Sequence, residues 1–211
     1  QSDVDQLGAF ASIPVINALT DVDHPTQLLA DWLTIRENFG TDIAGRKFVY
    51  LGDGNNMSHA WLIMGAIMGA HVVAATPSGK WAPDPVVVAV AKNIAANSGG
   101  KVEVTNDPEA AAKDASVLYT DVWMSMGDSE SDRKEKVQAL SPFAVTEHLM
   151  KMASKDSLFM HCLPAHRGEE VEANVIDGPR SVIWREAYHR RTTIQSILYH
   201  LVRGDLKGYT H

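Results

Sequence analysis

Short apolar runs of strand length recur along this chain with helix-length segments between them, and that alternation limits the fold more than any other feature. The runs cover residues 47–51, 72–75, 102–105, 117–120, 158–161 and 182–184. Strands so short and so continuously apolar are buried on both faces, which requires a mostly parallel sheet with helices packed on each side. The intervening segments 57–69, 84–97, 108–114, 133–152 (broken at Pro142) and 171–176 carry helical spacing, and a last helix spans 188–203. The expected fold is α/β, a three-layer, doubly wound, Rossmann-like sheet with helices on both faces.

Residues ahead of the first strand behave differently. Pro25 falls in the first turn of a helix that Asp23 or His24 can cap, and Leu28, Leu29, Trp32, Ile35 and Phe39 recur at helical spacing until Gly40. Residues 1–20 read as a helix followed by a strand at 13–16, with too little apolar surface for a domain. The segment 127–133, GDSESDR, reads as a polar, mobile loop. Residues 60–75 are nearly all apolar, but Gly65, Gly69 and His71 interrupt them, and the stretch is shorter than the ~20 residues a membrane span needs. A formal charge of −7 leaves no basic stripe for nucleic acid. The single cysteine cannot form an internal disulfide, which points to a reducing compartment.

In an open parallel sheet, ligands bind outside the carboxyl ends of the strands. The first strand is followed by Gly52-Asp53-Gly54-Asn55-Asn56, a tight turn into a helix with Asn55 or Asn56 as its cap. A dinucleotide fingerprint is incomplete, since Met57 stands where the third glycine belongs and no acid ends the next strand. Asp121 directly follows the strand 117–120, where a carboxylate can draw in a cationic substrate, and Met124, Ser125 and Met126 come next. Cys162 directly follows the strand 158–161, between His161 and Leu163. A thiol and a carboxylate on neighbouring strand ends can bracket an amine. His161, Cys162 and His166 match no usual zinc spacing. His24 and Gln27, three apart on one helix, can both donate to a carbonyl oxygen. His189, Arg190 and Arg191 open the last helix, where cations oppose the helix dipole unless an anion compensates.

With these segments in view, the chain resembles the ornithine carbamoyltransferases. DVDHPTQLLADWLTIRE, LGDGNNMSHA, TDVWMSMG, HCLPAHRGEEV and EAYHRRTTI stand in that family's order and spacing, over essentially the whole length. HPTQ is shared with aspartate carbamoyltransferases; the cysteine of HCLP together with SMG points to ornithine. The resemblance implies transfer of a carbamoyl group from carbamoyl phosphate to the side-chain amine of L-ornithine, giving citrulline and phosphate, with no metal or organic cofactor. It implies that His24, Gln27 and Arg190 hold the carbamoyl group, that Asn56, Asp121, Ser125 and Met126 bind ornithine, and that Cys162 and the Leu163 backbone lie beside the attacking amine. It further implies a remnant of the carbamoyl-phosphate domain at 1–22, an interdomain helix at 23–40, an ornithine-binding domain at 41–187 and a returning C-terminal helix at 188–211. No Ser-Thr-Arg-Thr-Arg phosphate loop occurs in these residues. The chain is therefore expected to be a fragment with little activity alone, and the homotrimer of the family is in question for it. Small-molecule substrates, no nucleic acid, no membrane and a cytoplasmic location (alternatively the mitochondrial matrix) complete the expectation. The rivals are a carbamoyltransferase for another amine such as putrescine, and a non-catalytic amino-acid-binding module.

Overall fold

The computed structural model describes residues 1–41, 43, 45–124 and 130–204. Its centre is a five-stranded sheet of order β3-β2-β1-β4-β5, made of β1 (Lys47–Leu51), β2 (His71–Ala75), β3 (Lys101–Thr105), β4 (Val117–Thr120) and β5 (Leu158–His161). Every pairing is parallel, as the apolar runs of β1, β2, β4 and β5 require, while the edge strand β3 alternates polar and apolar residues.

The two-residue period of a strand sends alternate side chains into separate cores. Phe48, Tyr50, Val72, Ala74, Val117, Tyr119 and Met160 enter one core, shared with α2 (Pro25–Phe39), α3 (Asn56–Ile67) and α4 (Pro85–Ser98). Val49, Leu51, Val73, Ala75, Leu118 and Phe159 enter the other, beneath α5 (Pro108–Ala112), α7 (Glu147–Met152) and α8 (Ala173–Ile176). Gly65 lets α3 lie directly on β2, since a Cβ there would sit 2.1 Å from Val72 Cγ1. The three layers and the doubly wound order agree with the expectation.

Several local expectations fail. Residues 182–184 form no strand. Only Ser181 bridges to Phe159, and Ile183 opens α9 (Ile183–Arg203). Ile183, Glu186 and His189 are its buried residues, spaced three apart, which is a helix face and not a strand face. The helix therefore begins five residues before Tyr188, and a boundary at 187/188 falls inside it. Residues 13–16 form no strand and pair with none. Of the loop expected at 127–133, residues 130–133 begin α6 (Glu130–Leu140) and 127–129 lie outside the described residues. Pro142 does break the helical segment, between α6 and α7, inside a 3-10 turn. Ahead of the sheet, α1 (Ser2–Phe10) buries none of its residues, and α2 packs along α9. Among the described residues no helix is long and apolar enough to cross a membrane.

Candidate active site

Chain direction reverses across the sheet between β1 and β4, since β2 and β3 lie to one side and β5 to the other. The crevice at such a switch point is where α/β sheets place ligands. Three loops meet there, and three side chains close a chain of hydrogen bonds. The Cys162 thiol, after β5, donates to Asp121 Oδ1 at 2.9 Å. Asn55 Nδ2, after β1, donates to Asp121 Oδ2 at 3.0 Å. Asp121 is buried at the end of β4 and also accepts from the Val122 amide. Burial, and then the Asp121 charge, push the Cys162 thiol well above its usual range. The sulfur therefore stays protonated at neutral pH, a hydrogen-bond donor and not a nucleophile.

Asn55 settles which asparagine caps α3. Its Oδ1 accepts from the Met57 and Ser58 amides and from the Tyr50 hydroxyl, while its amide group faces Asp121. One side chain thus ends the turn and orients the carboxylate, a double role that the cap assignment alone does not disclose. Asn56 points elsewhere and donates to the Thr20 carbonyl at 2.9 Å. Gly54 is required because a Cβ there would lie 2.2 Å from the Ala82 carbonyl carbon. Asp53 pairs with the buried Lys136 at 2.7 Å, which ties α6 to the same loop. Ser125 and Met126 lie outside the described residues.

Beyond Cys162 the backbone is strained. Leu163 sits at φ 58°, a conformation that costs a side-chain-bearing residue about 1–2 kcal/mol and recurs at functional sites. Its amide donates to His161 Nδ1 at 2.9 Å. That bond makes Nδ1 the acceptor, so Nε2 carries the proton toward Glu170 Oε1, 3.2 Å away. Glu170, fully buried, also receives the His166 amide and so braces the whole turn. His166, Glu169 and Glu170 draw together, but Glu169 pairs with Arg133, and Cys162 is not part of the group.

The remaining expected residues come from α2 and α9. His24 is the N-cap residue of α2, yet its side chain makes no capping bond. Burial first, and then the Arg190 charge, lower its imidazole to about 4, so it is neutral at physiological pH. The same charge effects place His24 within electrostatic reach of Asp121. Arg190 Nη1 donates to Gln27 Oε1. Gln27 Nε2 in turn donates to Asp31 Oδ1 at 2.7 Å and to Glu186 Oε1 at 3.1 Å. His24 Nδ1 and Arg190 Nε are buried and have no protein partner among the described residues. Arg190 lies in the second turn of α9, because the helix starts at Ile183. The expected conflict with the helix dipole is therefore removed, as that field is felt in the first turn. Sequence reasoning missed Asn55, Glu170, Asp31 and Glu186 as parts of this frame. Carboxyl groups at helical positions facing an apolar core were the available signal for the last two.

Known proteins resemble the chain over nearly its whole length. The family model described as aspartate/ornithine carbamoyltransferase, Asp/Orn binding domain, matches residues 44–201, and the carbamoyl-P binding domain of the same family matches residues 1–37. An ornithine carbamoyltransferase of Pyrococcus abyssi is 50% identical over 207 residues, 98% of this chain and 64% of that protein. An anabolic ornithine carbamoyltransferase of Pyrococcus furiosus is 50% identical over 205 residues, 97% of this chain and 64% of that protein. The solved ornithine carbamoyltransferase from Pyrococcus furiosus superposes with a TM-score of 0.90 at 50% identity, covering 98% of this chain and 64% of that one. The chain thus spans 64% of the length of these relatives.

Proposed function

Because the chain belongs to the aspartate/ornithine carbamoyltransferase family, we propose that it serves carbamoyl transfer from carbamoyl phosphate to the side-chain amine of L-ornithine, yielding L-citrulline and phosphate. The observation that carries this reading is the Cys162–Asp121 contact at the switch point of the sheet. An alkylammonium is drawn to the buried carboxylate, and the neutral thiol beside it supplies a polar wall that cannot itself attack the carbamoyl carbon. The ammonium gives one proton to solvent, and the freed nitrogen forms the new bond to the carbamoyl carbon. The C–O bond to phosphate breaks with its electron pair leaving on phosphate, and the second proton passes from nitrogen to that phosphate.

His24, Gln27 and Arg190 form the carbamoyl end. His24 is neutral and Arg190 retains an unused N–H, so both have capacity for an oxygen that gains charge as the carbon becomes tetrahedral. A preorganised donor of this kind is commonly worth ~3–4 kcal/mol in the transition state. The strained Leu163 turn offers its backbone to the carbamoyl group. Asp121, Asn56, Ser125 and Met126 take ornithine, with Asn56 exchanging the Thr20 carbonyl for the substrate carboxylate. In domain terms, 1–22 belongs with the carbamoyl-phosphate side, 23–40 bridges, the residues from 41 up to α9 bind ornithine, and α9, which starts at Ile183, returns across the bridge. An arginine-biosynthetic role, a cytoplasmic location and a homotrimer of the complete enzyme belong to the same reading. The name of the Pyrococcus furiosus relative, which includes "anabolic", supports the first of these.

Calorimetric titration with L-ornithine, with L-aspartate and putrescine as controls, tests the assignment. It is run on this chain and on one extended upstream, with and without carbamoyl phosphate. Ornithine-selective heat that Cys162→Ser weakens is the expected result. Aspartate- or putrescine-selective heat, or none for ornithine under any of these conditions, overturns it.

A further inference from the structure

Beneath the crevice lies a pair of acids that no step of the proposed reaction uses. Asp31 on α2 and Glu186 on α9 are buried, 0% and 1% exposed. One nitrogen, Gln27 Nε2, donates to Asp31 Oδ1 at 2.7 Å and to Glu186 Oε1 at 3.1 Å, which brings the two carboxyl groups side by side. Two ionised carboxylates are acceptors only and repel when brought together out of water, so such a pair favours one proton between them. A second observation agrees: Asp31 Oδ2 is buried with no N–H or other recorded donor among the described residues. A proton shared by the pair would supply that donor. Burial first, and then the Asp31 charge, hold Glu186 well above the usual carboxyl range, and burial raises Asp31 to about 7. Like charges that share a desolvated site behave in this way.

The pair reaches α2, α9, β4 and β5, which carry or lead into most of the site residues. Gln27 Nε2 donates to both acids, so its amide has one permitted orientation, NH₂ inward and Oε1 toward Arg190. The His161 amide, next to Cys162, donates to Glu186 Oε2 at 3.0 Å, and the Tyr119 hydroxyl at the end of β4 lies 3.4 Å from Oε1. We propose that Asp31 and Glu186 are proton-sharing positioning residues that fix the Gln27 amide, and through it Arg190, at the carbamoyl end of the crevice. Neither touches substrate. The positioning role rests on the function proposed above, whereas the shared proton does not. The charged and titratable groups facing the pair are Arg190 from α9, Tyr119 from β4 and Cys162, which follows β5.

Two measurements on the 211-residue chain test the proton. In infrared spectra at pH 7, the carbonyl stretch of a protonated carboxyl group is present in the folded chain and absent once it is unfolded. In urea unfolding from pH 5 to 8, wild type is compared with Asp31→Asn/Glu186→Gln. A carboxyl group raised in the folded state stabilises below its unfolded pKa, and that contribution is lost as pH rises through the folded value. The wild-type unfolding constant, relative to the variant, therefore climbs by about tenfold per pH unit for each retained proton, from pH 5 toward 7. A flat ratio, or no protonated-carboxyl band in the folded wild type, overturns the shared proton.

Positioning is tested in the enzyme extended to the length of its relatives. Asp31→Ala lowers kcat roughly 100-fold, the order of loss from a misplacement of about 1 Å, with KM for ornithine changed less than about threefold. Asp31→Asn, whose amide proton replaces the shared one, recovers most of the loss. Unchanged kcat in Asp31→Ala, or no recovery in Asp31→Asn, overturns the positioning role. A wild-type enzyme unable to carbamoylate ornithine refutes the proposed function instead, and leaves the infrared and pH results standing.

Discussion

Asn55→Asp isolates one contact of the crevice from everything around it. Asn55 Oδ1 accepts from Met57 N at 2.9 Å, Ser58 N at 3.3 Å and the Tyr50 hydroxyl at 3.2 Å. Aspartate has the same shape, keeps all three bonds and caps a helix as well as asparagine. The change falls on the fourth contact, where the donor facing Asp121 Oδ2 at 3.0 Å becomes a second carboxylate. At that separation two unit charges repel by about 5–6 kcal/mol at an effective dielectric of about 20. Losing the charge-assisted bond adds ~1.5–3 kcal/mol. Taking up a proton removes both penalties, because the new O–H again donates to Asp121. Protonating a carboxyl group of ordinary acidity costs about 1.4 kcal/mol for each pH unit above ~4. That is about 4 kcal/mol at pH 7 and about 1.5 kcal/mol at pH 5, cheaper in both cases than bearing the repulsion. The proton therefore sets the loss of stability, which grows as pH rises because the shared carboxyl group is raised in the folded variant. Urea unfolding of both proteins at pH 5, 6 and 7 measures it. Equal losses at the three pH values, or a loss under about 1 kcal/mol at pH 7, would show that Asn55 does not hold Asp121.

Three further outcomes follow from the same geometry. His24 is lowered to about 4 in the folded chain against 6.5 as its ordinary value, so its contribution is complete above the unfolded value and is lost as pH falls through the folded one. His24→Gln should flatten that limb of the acid-unfolding curve by about 3 kcal/mol, and an unchanged limb counts against a buried neutral imidazole. Gly54→Ala sets a Cβ 2.2 Å from the Ala82 carbonyl carbon and 2.3 Å from Pro83 N, a collision between two backbones that should cost about 3 kcal/mol by urea midpoint. Iodoacetamide at pH 8 should alkylate Cys162 at least about tenfold more slowly in the folded chain than in urea, and Asp121→Asn should narrow the gap. Equal rates refute the half-buried, carboxylate-bound thiol.

The sheet was legible because its signal is local. Each of β1, β2, β3, β4 and β5 lies within a residue of its apolar run, and runs with no polar alternation could only be covered on both faces. The run Val182-Ile183-Trp184 shows where that reasoning stops. Three apolar residues fit a strand and a buried helix equally, since Ile183 faces inward and Trp184, 73% exposed, faces outward under either period. What decides is farther along: Glu186 and His189 continue the buried face at helical spacing, and polar residues were not expected to mark a core.

Much the same blindness hid the inner half of the site. Strand ends direct attention to Asp121 and Cys162, and the sheet order then brings them within 2.9 Å. Nothing comparable directs attention to Asp31. Its helical neighbours Leu28 and Ile35 are fully buried, so the spacing that identified an apolar face on α2 placed a carboxyl group on that face. A charge so placed needs a partner or a proton, since desolvating it alone costs several kcal/mol. Gln27 is four residues before it, and on α9 Glu186 is four residues before Arg190, so each helix shows a polar pair along one side. Either pair alone reads as a solvated stripe. Only the packing of α9 along α2 excludes water from both, and that contact joins segments at opposite ends of the chain. The residues expected to touch substrate could be named from the strand ends and from the family resemblance. The acids that hold them in place became visible only when the two helices closed on each other.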